Sequence, residues 1–190
     1  MSQIKKLLSD KQDVISHTDV LKKFDWIISK NRNCILSPDS DGLMCGLLMS
    51  KLLNWKIKGF YDGKILLYDK NIIPSECIFL DIEIFRKNFK SLGQHMIVPN
   101  NKIYYEYGDN ALENCISPNN LRKYDANKNF RLKFPLASIH FLISILYKEI
   151  KITLPNTAIW PLLFVDGLFN VIFSYPETKF GGDFETEADY

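Results

Sequence analysis

The segment Ser37-Pro38-Asp39-Ser40-Asp41-Gly42 places two carboxylates one residue apart, directly after the apolar run Asn33-Cys34-Ile35-Leu36 and directly before an apolar helical stretch. In an open α/β sheet, ligands bind beyond the carboxyl ends of the strands. Paired carboxylates there suit a hard divalent cation, Mn²⁺ or Mg²⁺, which prefers oxygen ligands. Gly42 lets the chain turn tightly into the helix, whose first N–H groups suit a phosphate oxygen. The competing reading is that Asp39, Ser40 or Asp41 simply caps the helix.

Asp81 ends a second apolar run, Cys77-Ile78-Phe79-Leu80. A carboxylate on the end of a core strand is costly without a partner or a metal. Glu83 lies two residues on and reaches the same side if the strand continues. His95 is expected to open a further strand, His95 to Pro99, as metal ligand or general acid. Asp166 sits among Phe164, Val165 and Leu168, where an acid needs a partner. His140 reads as a core or interface histidine and His17 as exposed. Tyr104, Tyr105 and Tyr107 suit base stacking or, more commonly, edge-strand packing. The chain has no Gly-rich phosphate loop of the P-loop kind and no GxSxG elbow.

These residues need elements to hold them. Thr18 is expected to cap a helix over DVLKKFDWIISK, part of an N-terminal helical segment, 1–30. Gly42 to Leu53 is apolar almost all round, as in a helix buried against a sheet. WKIKGFYDG and ILLYD predict two strands about a turn at Asp62-Gly63. Residues 108–134, rich in Asn, Lys and Pro, predict loops with short helical turns. Pro135 to Ile150 and Asn156 to Ser174 predict helices, the first started by Pro135. Together they make a helical layer over 135–175, followed by a frayed tail at 181–190. Strands alternating with helices argue for one α/β domain over 1–190, its mainly parallel sheet flanked by helices and its C-terminal third more helical.

Composition narrows the partners. Lys and Arg total 24 against 22 Asp and Glu, for a net charge of +2, which excludes a strongly basic, histone-like binder and permits a local basic groove. Cys34, Cys45, Cys77 and Cys115 form no CxxC pair and read as buried, reduced thiols, pointing to a cytosolic protein. The polar start of the chain does not resemble a secretory signal, and the apolar stretches near 135–147 and 158–173 are too short or mixed to span a bilayer. Trp160, Leu162, Phe164, Leu168, Phe169 and Phe173 serve either as core or as a patch for a protein partner.

The order of these motifs resembles that of the DHH phosphoesterase superfamily, over roughly residues 30–175. Ser37-Pro-Asp-Ser-Asp-Gly42 is similar to its first motif, His-x-Asp-x-Asp-Gly. FLDIEI around Asp81 is similar to the second, and GQHM around His95 falls where Asp-His-His is expected. FVDG around Asp166 stands at the fourth. The resemblance implies a parallel-sheet domain holding Mn²⁺ or Mg²⁺ at the sheet edge and hydrolysing phosphoesters of nucleotides or single-stranded nucleic acid. Asp39, Asp41, Asp81 and His95 are then the metal ligands, with Asp41 and His95 the catalytic pair and Gly42 at the phosphate. Glu83, Asp166 and Ser37 are further candidates. Two positions depart: Ser37 replaces a histidine, and Gly93-Gln94 replace Asp-His. The departures open an alternative, an inactive module that binds nucleotide, nucleic acid or a protein partner. The separate substrate-binding domain common in the family is not evident in the sequence.

Overall fold

The computed structural model describes residues 15–95, 111–122, 133–147 and 149–167. The sheet runs in the order β3-β2-β1-β4-β5-β6, with β1 at Asn33–Leu36, β2 at Lys56–Tyr61, β3 at Leu66–Tyr68, β4 at Ile78–Leu80, β5 at Lys90–Leu92 and β6 at Cys115–Ile116. All neighbours pair in parallel except β2 and β3, which form an antiparallel hairpin at one edge. The expected α/β class and mainly parallel sheet are therefore present.

Strand order reverses beside β1. The chain runs outward from β1 through β2 to β3, then returns to lay β4 on the other side of β1. Connections leaving β1 and β4 thus diverge and open a crevice at the carboxyl ends of both strands. Leu36 and Leu80, the last residues of these strands, are direct partners in register.

Helix α1, His17–Lys23, is capped by Ser16, whose hydroxyl accepts from the Asp19 amide, rather than by Thr18. It stops at Phe24, and Asp25–Ile28 forms a separate 3₁₀ turn because Phe24, Trp26 and Ile27 all turn into the core. Helix α2, Ser40–Leu53, packs Gly46 over Leu36 and Ile57. A Cβ at Gly46 would stand 2.6 Å from a Leu36 methyl, so the small residue sets how closely helix and sheet approach.

Four expectations are corrected here. An unexpected parallel strand, β5, lies before His95, and His95 sits in a bend rather than opening a strand; the rest of the strand expected over His95 to Pro99 lies outside the described residues. The stretch expected to hold loops and short helical turns does contain a short helix, α3 at Pro118–Leu121, whose Pro118, Asn119 and Asn120 are buried, but it also contains an unexpected strand, β6. Pro135 does not start a helix: α4 spans Ser138–Leu146, after Ala137. The last predicted helix is a succession of short pieces, a 3₁₀ turn at Asn156–Ala158, α5 at Ile159–Phe164 and a kinked turn at Val165–Gly167. Residues 1–14, 96–110 (with the tyrosine cluster) and 168–190 lie outside the described residues.

The main core lies on the α2 and α4 face of the sheet, joining Cys34, Leu36, Met49 and Leu80 to Ile139, Leu142 and Ile145. A smaller cluster on the opposite face gathers Ile35, Cys77 and Phe79. All four cysteines are buried and free. Among the described residues no helix is long and apolar enough to cross a membrane.

Candidate metal centre

Beyond Leu36 the chain turns into α2, and Asp39 caps it: one carboxylate oxygen accepts from the Gly42 amide at 2.9 Å. Its other oxygen accepts from the Ser37 hydroxyl at 2.6 Å. Burial acts to raise the proton affinity of Asp39, but these two bonds hold the group below the usual carboxylate range. The Gly42 amide is thereby committed to Asp39 rather than open to a phosphate. Gly42 is required for another reason, since a Cβ there would lie 2.3 Å from the Ser37 carbonyl oxygen.

Asp41, two residues on, points inward and is 1% exposed. Its oxygens accept from the Ser138 amide at 2.6 Å and the Ile139 amide at 2.8 Å, the first turn of α4. Burial first, and the charge of Asp81 second, push the Asp41 carboxyl up despite those two bonds. The Cys45 thiol donates to Asp41 at 3.7 Å, and burial together with this carboxylate keeps it protonated.

Asp81 leaves β4 in the left-handed region, φ 61°, at 2% exposure. Such a conformation costs a non-glycine residue about 1 kcal/mol, and its presence here marks a constrained site. One Asp81 oxygen accepts from the Ser138 hydroxyl at 2.7 Å and faces the His95 Nε2 at 3.3 Å. The other, Oδ2, is buried with no hydrogen-bond partner. A buried carboxylate oxygen left so is unusual and fits a position for a cation.

His95 stands past the end of β5, where the hydrogen bond to Asp81 raises its pKa to about 9 against the opposing effect of burial. Asp166 reaches the same place from the helical layer, also with a left-handed backbone, φ 55°. Asp41, His95 and Asp166 bring one ligand atom each within 4.8 Å of one another. Burial, opposed by His95, raises the Asp166 carboxyl. Glu83 is buried beside Gly93, where a Cβ would lie 2.7 Å from its carboxylate oxygen.

Residues distant in sequence thus converge at the crevice between β1 and β4, as expected of Asp39, Asp41, Asp81 and His95. Glu83 and Asp166 join them, and Ser37 holds Asp39. His17 and His140 do not. They line a separate, largely apolar groove of about 490 Å³ with Ile143, Tyr147 and Leu154. That groove is the larger hollow, but Asp39, Asp81 and Glu83 line a cleft of about 340 Å³ together with Asp62, Tyr61 and His95.

Sequence reasoning missed three polar residues. Ser138 bonds both Asp41 and Asp81. The Gln94 side-chain amide donates to Asp166 at 2.7 Å and meets His95 Nδ1 at 3.3 Å. Asn119 donates to the Gln94 carbonyl at 3.0 Å and accepts from the Phe134 amide at 2.7 Å. Ser138, in an otherwise apolar stretch, was costly to bury without a purpose and was the one available signal, though it did not point to the acids; Asn119, in an Asn- and Pro-rich stretch, gave none.

The donor set of the Asp41, His95 and Asp166 cluster is carboxylate oxygens with one imidazole and no thiolate. By sequence and by structure, no family model, curated protein or solved structure matches this chain.

Proposed function

We propose that the chain is a metal-dependent phosphoester hydrolase of DHH type, acting on a nucleotide or single-stranded nucleic acid. The observation that carries this reading is the convergence of ligand atoms of Asp41, His95 and Asp166 within 4.8 Å of one another, beside Asp81, which faces His95 and whose buried Oδ2 has no hydrogen-bond partner. Mn²⁺ or Mg²⁺ would be held by Asp41, His95 and Asp166, with Asp81 Oδ2 as a further ligand and Asp39 at the margin. When bound, the cation supplies Lewis-acid polarisation of a phosphoryl group.

The chain's own residues supply the rest. Asp39, Asp62, Asp81 and Glu83 make the cleft wall acidic, with His95 as its one cationic group among the lining residues. An anionic phosphoester is repelled by such a wall until its charge is offset, so binding is cation-dependent. His95 serves either as a ligand or as the acid that protonates a departing oxygen, because a nitrogen bound to the cation has no proton to give. Tyr61, Pro38 and Ile82 form an apolar side against which a sugar or base can lie.

A specific observation supports the second reading, an inactive binding module. Ser37 and Gln94 stand at positions the resemblance gives to ligating histidines. Both are spent on hydrogen bonds, to Asp39 and Asp166. Hydrolysis of a generic phosphodiester and of short oligonucleotides in Mn²⁺, with an Asp41→Ala Asp81→Ala double variant beside the wild type, separates the two. Activity lost in the variant is the expected result. Absence of turnover in the wild type, with Mn²⁺ binding intact, favours the binding module.

A further inference from the structure

Asp41 and Asp81 enter the crevice from different connections, one after β1 and one after β4, and bring like charges together in a buried place. The amino end of α4 touches both. The Ser138 and Ile139 amides bind the two oxygens of Asp41, while the Ser138 hydroxyl binds Asp81 at 2.7 Å. Ala137, at the cap position, offers no side-chain bond, so Asp41 supplies the cap of α4 from another element. The Ser138 hydroxyl is therefore free of local duty, and it is spent on Asp81 at 1% exposure.

Helix capping alone does not call for that hydroxyl, because the amides of Ser138 and Ile139 would satisfy Asp41 with any residue at 138. Its bond to Asp81 Oδ1 fixes the rotation of that carboxylate and leaves Oδ2 as the buried atom without a partner. We infer that Ser138 is a positioning residue: through its amide and its hydroxyl it holds Asp41 and Asp81 in the mutual arrangement that receives a divalent cation. This rests on the reading of the cluster as a cation site. Groups that orient metal-bound carboxylates typically change affinity ten- to a hundredfold when removed.

The test is Mn²⁺ titration calorimetry on the full chain, with the melting temperature in chelator followed in parallel. Ser138→Ala is expected to bind Mn²⁺ about tenfold more weakly, and Ser138→Thr, which keeps the hydroxyl, to bind as the wild type does. A purely structural role would lower the melting temperature of Ser138→Ala and leave the affinity of the folded protein unchanged, which overturns the inference while the cation site stands. A wild type that binds neither Mn²⁺ nor Mg²⁺ overturns the site and the inference together. Should Ser138→Ala fail to fold, Ser138→Cys keeps the size with a poorer donor. Weaker binding than Ser138→Thr supports the role, and equal binding removes it.

Discussion

Asp39 serves two roles that can be pulled apart by chemistry. Its one oxygen caps α2 through the Gly42 amide, and its carboxylate also faces the acidic cleft. Asparagine caps a helix about as well as aspartate but carries no charge, whereas alanine does neither. Asp39→Asn is therefore expected to keep the melting temperature, while Asp39→Ala loses about 1 kcal/mol, measured by denaturant unfolding in chelator. Both should weaken Mn²⁺ binding. If only the alanine variant does so, Asp39 is a cap and nothing more. At this scale the sequence was informative but undecided. It offered cap and ligand as equal alternatives for one Asp, and the fold uses the cap without closing the second role. It could not reach Ser138, since a serine opening an apolar helix has no local mark of the acids it meets from 57 and 97 residues away.

Elements position these groups through close approaches that only glycine permits. On helix propensity alone, Gly42→Ala in the first turn of α2 should stabilise by up to about 1 kcal/mol. Its new Cβ would instead fall 2.3 Å from the Ser37 carbonyl and 2.8 Å from the Ser37 amide, both backbone atoms that cannot step aside. Net destabilisation of about 1–3 kcal/mol is expected, with Asp39 displaced; a higher melting temperature for the variant would contradict it. Gly93→Ala acts on β5 in a different way. Its Cβ meets the Glu83 carboxylate at 2.7 Å, the mobile end of a side chain, and the Ile82 amide at 3.1 Å. The variant should fold, and a change in Mn²⁺ affinity would show that Glu83 contributes to the site. Strands β1 and β4 were legible as apolar runs closed by Ser37-Pro38 and Asp81, helix α2 by its largely apolar sequence, and β2 as strand-forming residues before the turn at Asp62-Gly63. Strand β5 was not: Lys90-Ser91-Leu92 carries a buried serine, whose hydroxyl accepts from the Ile84 amide, and the more apolar residues after His95 drew the expectation away. Helix α4 starts later than Pro135 suggests because Asp41, from α2, supplies its cap.

The whole molecule must carry this charge cluster whether or not a cation is bound, and its pH dependence follows. Folding raises the proton affinity of both Asp41 and His95. A group whose folded pKa lies above its unfolded value contributes stability that is complete below the unfolded value and lost as pH climbs through the folded one. For His95 that window runs from 6.5 to about 9. For Asp41 it opens above 3.8 and has the same sign. In chelator the melting temperature should thus fall steadily from mildly acidic to alkaline pH, and His95→Gln should flatten the upper part of that fall. A divalent cation competes with these same protons, so its affinity rises with pH. At a hundredfold excess over its dissociation constant it stabilises by about 2.7 kcal/mol, or several degrees for a chain of this size. Mn²⁺ should therefore raise the melting temperature little at pH 5 and most near pH 8, opposing the downward slope seen in chelator. Differential scanning fluorimetry across that range measures it directly. Identical slopes with and without Mn²⁺ would mean that the acids at the β1–β4 crevice hold protons rather than a metal.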